Sequence, residues 1–152
     1  MNPALAALLR AFVPKAIAWA ELQQRQVLAC GAPLSAADLE LARQVGVRGP
    51  EHIRVQFVEA LPMPQDPDLR TVVMQAGLLG PGMIGMTLGY AVLARKGYET
   101  SSRLLSHEFR HVYQYEVLGS IGLFLPVYFR QIAQFGYRDA PFEVDARAHE
   151  QA

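Results

Sequence analysis

The chain has 152 residues, 51% hydrophobic and 18% charged, with 14 Lys and Arg against 14 Asp and Glu. Such a chain suits one domain, 1–152, that buries a core without staples, and its composition excludes a disordered polymer. Zero net charge without a basic cluster argues against a nucleic-acid partner, and the lone cysteine, Cys30, excludes an intrachain disulfide and fits a reducing cytoplasm.

Residues 1–30 form an N-terminal amphipathic segment, with a helix expected over Ala4 to Ala29. Leu5, Leu8, Leu9, Phe12, Ile17, Leu22 and Leu28 recur at helical spacing, and Pro14 is placed to kink the helix. Arg10 and Lys15 interrupt the apolar run, which argues against a signal peptide. No stretch reaches the roughly eighteen consecutive apolar residues of a membrane span, so no transmembrane segment is expected. Gly31 and Pro33 stop the helix, and Ser35 is an N-cap for a short helix ending at Gly46.

Ile53 to Val58 alternates apolar and polar residues and predicts a strand. Pro62, Pro64 and Pro67 mark a loop, with Pro67 opening a helix over Asp66 to Gln75. Gly77 to Gly85 reads as a turn-rich connection, and it lacks the Lys-Ser/Thr of a phosphate loop. Met86 to Leu93 is the second expected strand, pairing with the first in a small antiparallel sheet. A helix capped by Ser101 or Ser102 then runs to about Leu118. The next is broken near Pro126 and ends at Gly136. The last is opened by Asp139 and Pro141 and runs to Gln151. The pattern implies a helix-dominated α+β fold. Tyr113, Tyr115, Phe124, Tyr128 and Phe129 read as core, and Arg95, Lys96 and Arg110 as solvated cations.

The chemistry concentrates in residues 86–151. His107-Glu108-Phe109-Arg110-His111 puts two imidazoles one helical turn apart on one face, close enough to share a zinc ion, with Glu108 beside them as a base for a metal-activated water. A catalytic zinc takes three protein ligands, so a third is needed from a separate helix. Glu143 is the choice, with Asp145 and His149 as competitors. Tyr90, Tyr128, Tyr137 and His149 are candidates to stabilise an oxyanion.

The His-Glu-x-x-His block with a downstream glutamate resembles the gluzincin branch of the zincin metallopeptidases. The wider block Leu104 to Glu116 is similar to small uncharacterised bacterial zincin-like domains. The resemblance covers roughly Thr87 to Arg147. In that group the third ligand opens an E-x-x-A-D pattern. Glu143-Val144-Asp145-Ala146-Arg147 matches at the glutamate and the alanine, while Arg147 stands where the aspartate that orients a ligand histidine belongs. Another group, such as a backbone carbonyl, would then take over that task. The resemblance implies a motif helix under the sheet and an edge strand near Thr87 to Leu93, where a peptide substrate adds as a further strand. It implies Zn2+ on His107, His111 and Glu143, and a metallopeptidase or amidase with Glu108 as general base, acting on a peptide or protein. The alternative is a catalytically silent module with structural zinc that binds a peptide or protein partner. So short a chain leaves a shallow groove, or one completed by a homo-oligomer.

Overall fold

A computed structural model describes residues 2–152. The first helix, α1, spans Pro3–Cys30; Asn2 caps it by accepting the Leu5 N–H. Pro14 lies inside α1, and the helix continues through it instead of breaking. Leu9, Ala16, Ala20 and Val27 form its buried stripe. Helix α2, Ala36–Gln44, starts at Ser35 as its cap residue predicts. Helix α3, Pro67–Gln75, starts at Asp66, whose carboxylate accepts the N–H groups of Asp68 and Leu69.

Four strands form one sheet in the order β1-β2-β4-β3: β1 is Ala32–Pro33, β2 Arg54–Val58, β3 Gly85–Leu88 and β4 Ala91–Arg95. Two expectations are corrected here. The stretch Met86 to Leu93 is a hairpin, not one strand. Gly89 turns the chain with a φ of 66°, a conformation that favours glycine, and Leu88 then faces Ala91 across an antiparallel pair. The second correction is direction: β4 runs parallel to β2, from Arg54 opposite Ala91 to Val58 opposite Arg95, so the sheet is mixed. Helix α3 and strand β3 lie between the two, which gives the chain the length to return and run the same way. Apolar alternation carries no strand direction, so the sequence could not reveal this.

Strand β4 is buried on both faces. Ala91 and Leu93 join a core shared with α1 and α3, while Val92 joins a second core with Val55 and Ala42. Helix α4, Ser102–Leu118, contributes Leu105, Phe109 and Val112 to the second core and Tyr115 to the first. It is capped by Ser101 and closed by Gly119 in a left-handed conformation, φ 105°. Helix α5, Ile121–Asp139, passes Pro126 without a break; its departure from helical geometry is at Gly136, φ 80° and ψ 166°. Helix α6, Pro141–Ala148, stops short of Gln151 and has Ala140, not Asp139, at its cap position, with no side-chain bond there. Ala140 is held extended because the residue before a proline avoids the helical region. Among the described residues no helix is long and apolar enough to cross a membrane.

Candidate metal centre

The motif lies in the middle of α4, where the four-residue spacing stacks His107 and His111 on one face with ring centroids 4.9 Å apart. Helix α6 packs across that face and delivers Glu143. Its Oε1 lies 3.3 Å from His107 Nε2 and its Oε2 lies 3.0 Å from His111 Nε2. One donor atom from each of the three residues falls within 4.8 Å of the others. Tetrahedral zinc, with bonds of about 2.0–2.1 Å, sets neighbouring donors roughly 3.3 Å apart. Two imidazole nitrogens and a carboxylate are donor types that zinc takes, and these three lie close enough together to share one ion.

The two competitors for the third position are turned elsewhere. Asp145 forms a fork with Arg110, at 2.8 Å to Nε and 3.2 Å to Nη2, and His149 Nδ1 lies 2.8 Å from the Asp145 carbonyl oxygen. Arg110 is therefore not a solvated cation. It is half-buried, donates Nη1 to the Val45 carbonyl at 2.7 Å and lies over the Tyr113 ring. It ties α4 to α6 and to the end of α2.

Side chains, not a backbone carbonyl, meet the second ring nitrogens. His107 Nδ1 is 3.0 Å from Glu150 Oε1, and His111 Nδ1 is 2.8 Å from Gln114 Oε1. Gln114 is itself fixed, its Nε2 donating to Phe142 O and Asp145 Oδ2 at 2.9 Å each. Arg147 turns away and donates to the Arg138 carbonyl. Gln114 had a sequence signal, since it follows His111 by three residues on the same face. Glu150 had none, because it lies beyond the end of α6.

Charge in this cluster follows from burial and pairing. Burial opposes ionisation of Glu143, but hydrogen bonds from His107 and His111 win and hold its carboxyl well below the usual range. Tyr128 adds a third, donating its hydroxyl to Oε2 at 2.7 Å. Burial likewise opposes protonation of His111, yet the bond to Glu143 and its charge carry the imidazole up to about 9. Glu108 is 5% exposed, and burial pushes its carboxyl up against the pull of His111 and His107. Thr87 on β3 donates its hydroxyl to Glu108 Oε1 at 2.9 Å. Strand β3 passes so near that a Cβ on Gly85 would lie 3.0 Å from the Glu108 carboxylate.

Of the four oxyanion candidates, Tyr128 and Tyr137 reach this region. Tyr90 donates instead to Glu116 in a separate cavity of about 820 Å³, and His149 stays on Asp145. The turn at Gly136 ends the regular part of α5 just before Tyr137, which borders two spaces. One is an outer cleft of about 450 Å³ with Met83, Tyr98, Arg103, His107 and Glu108 on its walls. The other is an inner cavity of about 70 Å³ against His111 and Glu143.

Strand β3 is the outer strand of the sheet, beside the motif helix, and its Gly85 lines both the cleft and the smaller cavity. All four of its residues are buried. The Ile84 carbonyl accepts from β4, so by alternation the Thr87 carbonyl points outward, and there it accepts the Tyr115 hydroxyl at 3.1 Å. Comparisons with protein-family models, with curated proteins and with solved structures gave no match.

Proposed function

We propose that this chain is a zinc-dependent metallopeptidase or amidase in which His107, His111 and Glu143 hold the metal and Glu108 is the general base. One observation carries the reading: a glutamate from α6 meets both Nε2 atoms of a His-Glu-x-x-His helix, at 3.3 and 3.0 Å. Bound there, zinc supplies Lewis-acid polarisation of a substrate carbonyl and of a water molecule.

The protein's own groups do the rest. Glu150 and Gln114 accept from Nδ1–H of the two histidines, so both Nε2 atoms face inward, where a bound metal would take the place of their protons. Tyr128 holds one oxygen of Glu143 in place. Glu108 accepts a proton at its carboxylate and returns it to the leaving amine; its raised pKa brings it nearer the range where a base also serves as an acid. Tyr137, between cleft and inner cavity, is the group to donate its hydroxyl to the carbonyl oxygen as that atom gains charge. The outer cleft, of about 450 Å³, takes a short peptide or an amide side chain.

A second reading has one observation in its favour. Tyr115 occupies the outward carbonyl of Thr87, which takes up one acceptor that an extended peptide on β3 would use, as a silent module with structural zinc and a separate protein partner would allow. The test compares zinc-loaded wild type with Glu108→Gln on a pooled peptide library, read by mass spectrometry. Wild type is expected to cleave and the variant to cleave about 10²–10⁴-fold more slowly with zinc retained. Equal cleavage by both overturns the role of Glu108. Zinc in both with cleavage by neither selects the silent module.

A further inference from the structure

We infer that Glu150 is the positioning residue for His107, doing from beyond α6 the task that an aspartate would do at the position of Arg147. The inference rests on the metal reading above. It stands on how residues 149–151 are fastened. The N–H groups of His149 and Glu150 turn back onto the carbonyls of Ala146 and Arg147, which closes the end of α6. The Gln151 N–H then donates to Ser106 Oγ at 2.8 Å, and that hydroxyl donates in turn to the Ser102 carbonyl. Ser106 is 0% exposed and immediately precedes His107, so the segment is pinned to α4 beside the ligand it serves.

Pinned there, the Glu150 carboxylate uses both oxygens. Oε1 is 3.0 Å from His107 Nδ1 and Oε2 is 2.9 Å from Arg103 Nε. Two donors on different oxygens fix the plane of the group as well as its place. An anionic acceptor on Nδ1–H fixes the ring with its Nε2 edge toward Glu143, and once the Nε2 proton gives way to a metal it would strengthen that nitrogen as a ligand. His111 has a neutral acceptor in Gln114. The two ligands are thus held by unlike groups, the anion serving the histidine nearer the open cleft. Arg147 is committed to the Arg138 carbonyl and plays no part in this. A plain ion pair between Glu150 and Arg103 would need neither the 3.0 Å approach to Nδ1 nor the clasp on Ser106.

The experiment uses the full chain as wild type, Glu150→Ala and Glu150→Gln. Zinc affinity is measured by competition with a chromophoric chelator, and the visible absorption of the cobalt(II)-loaded proteins reports ligand geometry. Glu150→Ala is expected to bind zinc roughly 10–100-fold more weakly and to shift the cobalt bands. Glu150→Gln, whose carbonyl still accepts from Nδ1–H, is expected to recover most of the loss. Wild-type affinity and spectrum in Glu150→Ala overturns the inference, as does a Gln variant no better than Ala. Thermal midpoints of the metal-free proteins read folding separately, and a zinc loss that merely follows a collapsed midpoint also overturns it. Wild type that binds no zinc overturns the metal reading itself, and is seen before any variant is compared.

Discussion

Each of the four ring nitrogens of His107 and His111 faces an oxygen: Glu143 on both Nε2 atoms, Glu150 and Gln114 on the two Nδ1 atoms. Around them a second set of residues holds α4 against α6, and Asp145 is its anchor. Burial works against the Asp145 charge, but hydrogen bonds from Arg110 and Gln114 outweigh it and lower its pKa from 3.8. A carboxyl depressed by folding contributes stability above its ordinary pKa and loses it as pH falls through the lower folded value. Wild type should therefore lose this contribution as pH drops from about 4. Asp145→Asn should be less stable at neutral pH by about 1 kcal/mol and show a flatter acid limb in thermal melts across pH. An unchanged acid limb in that variant would remove Asp145 from the anchor. At this scale the sequence was legible where spacing carries geometry. His107, His111 and Glu108 share one turn, and Glu143 stands out on its own helix. Thr87, Tyr128 and Glu150 arrive from parts of the chain with no fixed spacing to the motif, so no periodicity announced them.

The elements that frame the site are α4, α6 and the outer strand β3. The helices follow from their signals: Ser35, Asp66 and Ser101 each cap where the chain turns helical. The strands were less legible. Ile53 to Val58 and Met86 to Leu93 are apolar enough to be strands, but neither the division at Gly89 nor the parallel pairing of β2 with β4 is written in alternation. The first is a local turn at a glycine, and the second depends on the path the chain takes through α3 and β3 between the paired strands. The close pass of β3 over Glu108 has a direct consequence. A methyl group on Gly85 meets the Glu108 carboxylate and Leu104 Cδ1 at 3.0 Å, so one of them must move. Gly85→Ala is expected to lower turnover by roughly tenfold or more through a displaced base, while zinc affinity stays within about threefold of wild type. Zinc titration beside steady-state kinetics checks this; equal losses in both would mean that β3 supports the metal cluster and not the base.

At the level of the whole molecule, α4 joins the two cores. Phe109 and Val112 face the core of β2 and α2, Tyr115 faces the core of α1 and α5, and the two histidines point to the seam where α6 lies. A cluster of buried ionisable groups is costly to assemble, and here it is built on a helix that buries nine of its 17 residues. The pattern of elements indicated a helix-dominated α+β chain and the composition a core of its own, and the fold has that character. Neither indicated the packing of Tyr115 against the edge of β3, where its hydroxyl meets the Thr87 carbonyl. The central claim is that one zinc ion lies where α4 and α6 meet. The most direct measurement is anomalous X-ray diffraction at the zinc absorption edge, on crystals of the wild-type chain grown with zinc. The account predicts one strong peak per chain, about 2.0–2.2 Å from His107 Nε2, His111 Nε2 and a Glu143 oxygen. A peak held instead by Asp145, His149 or Glu150, or no peak between the two histidines at all, would contradict it.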